Sequence, residues 1–98
     1  MDIKRLVRKW FDKWEAGDFL DIPISEHFRH TSPYGIIEGK KRYIRLVEAN
    51  KDKFLGYRFE LQDEIYDRDK ACVRYRAIQG DCILEVSEWY FAKENMII

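Results

Sequence analysis

Residues 71–91, ACVRYRAIQGDCILEVSEWYF, decide the fold. Two runs of alternating character flank Gly80-Asp81, and a period of two is the mark of a half-buried strand. Ala71, Val73, Tyr75 and Ala77 share one face of the first run; Leu84, Val86, Glu88 and Tyr90 share one face of the second. Gly80-Asp81 suits a two-residue hairpin turn, because glycine accepts the positive φ such turns need. That turn sets Val73 opposite Glu88, Tyr75 opposite Val86 and Ala77 opposite Leu84. A one-residue slip would break the shared face. The other face pairs Arg76 with Glu85 and leaves Ile78, Ile83, Trp89 and Phe91 showing.

Upstream, Tyr57, Phe59, Leu61, Asp63 and Ile65 alternate with Arg58, Glu60, Gln62 and Glu64, a third strand pattern. A three-residue loop at Asp67-Arg68-Asp69 would set Asp63 opposite Val73. Asp63 and Glu88 would then flank Val73 from both sides, their backbones two strand spacings or about 9–10 Å apart. Before this, Gly39 opens a helical pattern with Tyr43, Ile44, Val47 and Phe54 on its buried side. Its first turn carries Lys40, Lys41 and Arg42, the wrong sign for the positive end of a helix. That triplet is either a solvated cluster or a seat for an anion. His27 to Tyr34 reads as a strand ending at Pro33 and Gly35, and Pro23 suits the first turn of a short second helix. At the start, Ile3, Leu6, Val7, Trp10, Phe11 and Trp14 form one apolar stripe at helical spacing. Asp2 can cap that helix and Gly17 can end it in the left-handed conformation.

Composition narrows the function. Ninety-eight residues without repeats or linkers fit one domain over 1–98, and 46% apolar residues suffice for a core. Lysine plus arginine and aspartate plus glutamate are balanced at 18 each, so nothing favours nucleic acid or anionic lipid. No apolar run is long enough for a signal peptide or a membrane helix, which puts the expected location in the cytoplasm. Cys72 and Cys82 lack metal-ligand spacing and are expected as reduced thiols.

The order of short motifs resembles a known family. A helix ending in Trp14-Glu15-Ala16-Gly17-Asp18-Phe19 is followed by a strand ending in Ser32-Pro33-Tyr34-Gly35, and Glu38-Gly39 opens a helix. Long strands then end in Glu88-Trp89-Tyr90-Phe91-Ala92. This order is similar to the SnoaL-like branch of the nuclear-transport-factor-two-like superfamily, which includes polyketide cyclases and ketosteroid isomerases. The resemblance implies an α+β, cystatin-like cone. Its curved mixed sheet, mostly antiparallel, would be closed by N-terminal helices around a pocket, often with a dimer through the outer sheet face. It also implies where ketosteroid isomerase chemistry would sit. The general-base aspartate falls at Ser32, whose hydroxyl is too weak a base. The oxyanion tyrosine falls at Trp10, and the second oxyanion donor, an aspartate, falls at Glu88. Only that last carboxyl is approximately kept, which argues against steroid isomerisation by the family's mechanism. Relatives continue with a strand of roughly ten residues where this sequence has Asn95-Met96-Ile97-Ile98. A shortened C-terminal strand is therefore expected, with a gap or an exposed sheet edge.

Glu88 is the foremost candidate for chemistry. Desolvation disfavours a charged carboxyl, so an acid on an apolar face suits proton transfer; the competing reading is that it simply bonds a tyrosine or His30. His30 and Ser32 share the inward parity of their strand, Tyr34 follows at the mouth, and Asp63 is the second carboxyl. Trp10, Trp14, Phe59, Tyr75 and Tyr90 are core residues that can also line a pocket for a flat apolar ligand. His27, His30, Asp63 and Glu88 make no recognisable metal set, and no cofactor is implied. Two functions are thus in play. One is a small-molecule-binding protein with lyase- or isomerase-type proton transfer through Glu88 and His30. The other is a non-catalytic homodimerisation module with a filled cone. A homodimer is expected through Ile78, Ile83, Trp89 and Phe91, a patch a monomer should not expose.

Overall fold

The computed structural model of the chain describes residues 2–98. Helix α1 spans Ile3–Ala16. The Asp2 side chain accepts the Arg5 amide at 3.2 Å, which gives one unpaired donor of the first turn a partner. At the other end Gly17 takes φ 78°, and the amides of Gly17 and Asp18 close back onto Trp14 and Lys13. The buried face is the expected stripe: Ile3, Val7, Trp10, Phe11 and Trp14, with Leu6 partly buried.

Pro23 does not start a helix. A single 3-10 turn covers Phe19–Asp21, and the chain then runs extended. Ile22, preceding proline, is sterically biased to that extended backbone (φ −68°, ψ 145°). The segment finds its partner at the far end of the chain: Ile97 N–H donates to the Pro23 carbonyl at 2.8 Å and Ser25 N–H to the Ile97 carbonyl at 2.9 Å. Strand β1 (Arg29–Ser32) is shorter than expected and pairs with a strand the sequence reading lacked, β2 (Gly35–Glu38). Pro33-Tyr34 makes the turn, with Ser32 Oγ accepting the Tyr34 amide at 3.1 Å. Helix α2 (Lys40–Ala49) follows and buries Tyr43 and Val47; a single turn, α3 (Lys51–Phe54), completes the helices.

The remaining strands are β3 (Arg58–Asp67), β4 (Lys70–Gln79), β5 (Cys82–Lys93) and the two-residue β6 (Met96–Ile97). They form an antiparallel sheet in the order β3-β4-β5-β6, separate from the β1-β2 hairpin. The β4-β5 register is the one the Gly80-Asp81 turn dictates: Val73 faces Glu88, Tyr75 faces Val86 and Ala77 faces Leu84. The β3-β4 register is not uniform. It follows the expected pairing from Arg58 to Leu61, then shifts at a bulge between Leu61 and Asp63. The turn before β4 has two residues instead of three, with Arg68 at φ 55°. An extra residue in one strand moves every later side chain to the opposite face. Glu64, not Asp63, therefore stands opposite Val73. Asp63 faces outward beside Arg74, whose Nε donates to it at 2.7 Å.

Cys72 and Cys82 are both free thiols. Among the described residues, no helix is long and apolar enough to cross a membrane. The space between α1, α2 and the inner sheet face is packed with aromatic rings. Trp10 sits 5.6 Å from Trp14, 5.9 Å from Phe28 and 6.0 Å from Tyr90, ring centre to ring centre. Phe11 meets Tyr75 edge-on at 4.9 Å, a favoured aromatic geometry.

Candidate functional site

A cavity of about 610 Å³ opens between β1 and β5. Its floor is apolar, made by Trp10, Phe28, Tyr90 and Ile97, and its walls carry His30 and Glu88. Glu88 reaches this place because the hairpin register puts it on the inner face between Val86 and Tyr90. Tyr75 and Tyr90 hydroxyls both donate to the same carboxylate oxygen, Oε1, at 2.6 and 2.5 Å. No described residue donates to Oε2. The carboxylate is thus held by one oxygen and has the other to offer.

The surrounding phenols stay protonated. Burial pushes Tyr75 and Tyr90 far above the ordinary 10.0, and the negative charge of Glu88 pushes them further. Tyr43, on α2, is raised for the same two reasons in the same order. A second acid lies elsewhere on the inner face: Glu64 accepts from Tyr66 at 2.6 Å and pairs with Arg8 at 2.6 and 2.7 Å. Burial and that bond raise Tyr66 to about 12. Glu64 is closed by its partners, whereas Glu88 keeps a free oxygen.

His30 lines the same cavity, and its Nδ1 is buried with no hydrogen-bond partner. Buried polar atoms are nearly always paired; this nitrogen is the exception, and it is closed off from the cavity that the rest of the ring borders. No hydrogen bond joins His30 to Glu88. Its ring instead lies 5.4 Å from that of Tyr43.

Of the other residues singled out from sequence, Trp10 and Tyr90 border the cavity. Trp14, Phe59 and Tyr75 do not line it; they pack the core behind it, and Trp14 Nε1 is left unpaired there. Ser32 is engaged in its turn, Tyr34 is fully exposed beside it, and neither lines the cavity. Asp63 is on the wrong face of the sheet, for the reason the bulge supplies. Lys41 and Arg42 are exposed, and the amide of Lys40 already donates to the Glu26 carbonyl at 3.1 Å. The sequence reading lacked Phe28, Ile97 and Tyr43 as parts of this site. Tyr43 was legible as buried from its helical spacing, but its proximity to Glu88 depends on how α2 lies over the sheet.

On the outer sheet face Ile83 is 58%, Trp89 64% and Phe91 roughly half exposed, while Ile78 is half-buried. The bulge adds Ile65, 68% exposed, in a cross-strand row with Cys72 and Trp89.

Comparison with known proteins fits this architecture. The model of the SnoaL-like domain family matches residues 7–87. An NTF2-like protein of unknown function from Cytophaga hutchinsonii superposes with a TM-score of 0.82 at 18% identity, covering 99% of this chain and 84% of its own. A candidate ketosteroid isomerase from Kribbella flavida gives 0.79 at 19% identity, over 95% of this chain and 70% of its own. An LEH-like epoxide hydrolase from M. tuberculosis gives 0.75 at 15%, over 95% and 74%. No curated protein matches the sequence. At such identities the structures share the fold, and one fold hosts many activities. With more than half of its length matched by the family model, the chain belongs to the SnoaL-like domain family.

Proposed function

We propose that the cavity between β1 and β5 binds a small, mainly apolar molecule, and that Glu88 moves a proton on it in a lyase- or isomerase-type reaction. One observation carries this reading: Glu88 is anchored through Oε1 by two tyrosines, borders the cavity and has Oε2 unengaged. A base must be held in place and still have a lone pair to use. The floor of Trp10, Phe28 and Tyr90 supplies the apolar surface for a flat ligand, and the His30 ring borders it. Fold relatives named for isomerase and epoxide hydrolase activity make a reaction in this cavity chemically reasonable by analogy.

The experiment uses 2-naphthol, a flat apolar body with one donor hydroxyl, titrated by calorimetry against wild type and Glu88→Gln across pH. Glutamine keeps the shape and an acceptor but removes the charge. Affinity should fall roughly tenfold, the difference between a charge-assisted and a neutral hydrogen bond. Superimposable binding curves at every pH would remove Glu88 from any proton-linked role.

The exposed outer-face side chains of Ile65, Ile83, Trp89 and Phe91 favour a second reading, a homodimer through the outer sheet face. An isologous dimer would cover the patch on both copies at once. Wild type should then scatter light as a dimer and Trp89→Glu as a monomer. An unchanged mass would exclude this interface.

A further inference from the structure

Glu64 and Glu88 flank Val73 from the two neighbouring strands, both on the inner sheet face. Only one of them has a cation. Glu64 accepts from Arg8 Nη2 on both of its oxygens, at 2.6 and 2.7 Å, besides the Tyr66 hydroxyl. Glu88 accepts two hydroxyls on Oε1, and among the described residues no ion pair reaches it. Water can take the place of a partner for an exposed acid. Glu88 is half-buried above the rings of Trp10, Phe28 and Tyr90, and a charge withdrawn from water is costly unless an opposite charge accompanies it.

The other charged groups of the cavity do not supply that charge. Its lining holds Arg29 against two carboxylates, Glu38 and Glu88. Arg29 and Glu38 stand opposite each other in the β1-β2 ladder and are both exposed, so each offsets the other at the rim. His27 is exposed at the same rim, and the His30 ring lies against Tyr43 with no bond to Glu88. Inside there is a carboxylate with one oxygen to offer, over aromatic rings whose negative faces attract ammonium groups.

We propose that the ligand of this cavity is an organic cation, a flat apolar amine in its ammonium form, whose N–H bonds Glu88 Oε2. The inference rests on the cavity assigned above and adds the charge of its occupant. An ammonium group brings both things Glu88 lacks, a donor for Oε2 and an opposite charge, and its positive nitrogen is also what an aromatic floor attracts. A neutral alcohol brings the donor alone. A carboxylate brings a like charge to Glu88 and is disfavoured. The ligand's charge is a separate matter from whether Glu88 then moves a proton on it.

Three ligands that share one body and differ in charge test this by calorimetric titration at neutral pH: 2-naphthylmethylamine, 2-naphthylmethanol and 2-naphthoate. Wild type should bind the amine roughly tenfold more tightly than the alcohol, the gain from placing a full charge on the donor, and should bind naphthoate weakest. In Glu88→Gln the gap between amine and alcohol should close, because glutamine still accepts a hydrogen bond but carries no charge. In Glu38→Gln, at the rim, the gap should persist. The wild-type order of the three ligands needs no variant to fold. Equal affinities for amine and alcohol, a gap that survives Glu88→Gln, or one that is lost in Glu38→Gln would overturn the proposal and leave a cavity for other ligands. Tightest binding of naphthoate would give the deciding charge to Arg29 and would overturn it too. If none of the three bound, the cavity assignment itself would fall, and this inference with it.

Discussion

The protein should lose stability steeply above pH ~10, at about 4 kcal/mol per pH unit. Three phenols cause this. Tyr43, Tyr75 and Tyr90 are all buried, and each is raised above its ordinary value of 10.0 by burial first and the charge of Glu88 second. Above that value the unfolded chain sheds these protons and the native state keeps them. The native state then binds more protons than the unfolded one, so unfolding becomes easier as pH rises. Their contribution is intact below pH ~10 and is lost above it, at roughly 1.4 kcal/mol per unit for each retained proton. Net stabilities of domains are about 5–15 kcal/mol, so about one to four pH units should unfold the chain. Guanidinium melts at stepped pH give the slope, and absorbance at 295 nm reports phenolate. Phenolate from these rings should appear only with the loss of helical signal. Tyr90→Phe should reduce the slope by about a third. Ionisation of all three rings in a still-folded chain would mean that water reaches them freely.

Replacing Trp10 with alanine should cost about 3–5 kcal/mol, the range for emptying a buried tryptophan site. Trp10 is 6% exposed and joins three parts of the molecule, touching Trp14 on its own helix, Phe28 ahead of β1 and Tyr90 on β5. For a domain of this size the loss corresponds to a fall in Tm on the order of 20 °C. Trp10→Phe keeps an aromatic body and should cost much less. Because Trp10 also floors the cavity, the phenylalanine variant should weaken 2-naphthol binding while remaining folded. A cost for alanine below about 1 kcal/mol would place the ring outside a packed core.

The parts of the fold that were legible in the sequence are those governed by local rules. Asp2 and Gly17 bracket α1 because a cap and a left-handed glycine act within one turn of the helix they bound. Gly80-Asp81 set the β4-β5 register because a two-residue turn leaves the flanking strands one pairing that keeps their apolar residues together. From that register alone Glu88 could be placed inward beside Tyr75 and Tyr90. The β2 strand was hidden because Gly35-Ile36-Ile37-Glu38 is too short to display a period. Pro23 misled because proline suits both a helix start and an extended segment, and its partner, Ile97, lies at the other end of the sequence.

By itself the sequence determined the family, the helix limits of α1, the central hairpin and the inward placement of Glu88, since each follows from neighbours a few residues apart. Tertiary structure alone decided the bulge after Leu61, which exchanged Asp63 for Glu64 on the inner face and turned Ile65 outward. It also decided the cavity, which brings residues 27–31 and 87–91 to one opening. Both depend on how distant strand edges are spaced, and strand spacing is set by long-range packing that no local pattern of residues encodes.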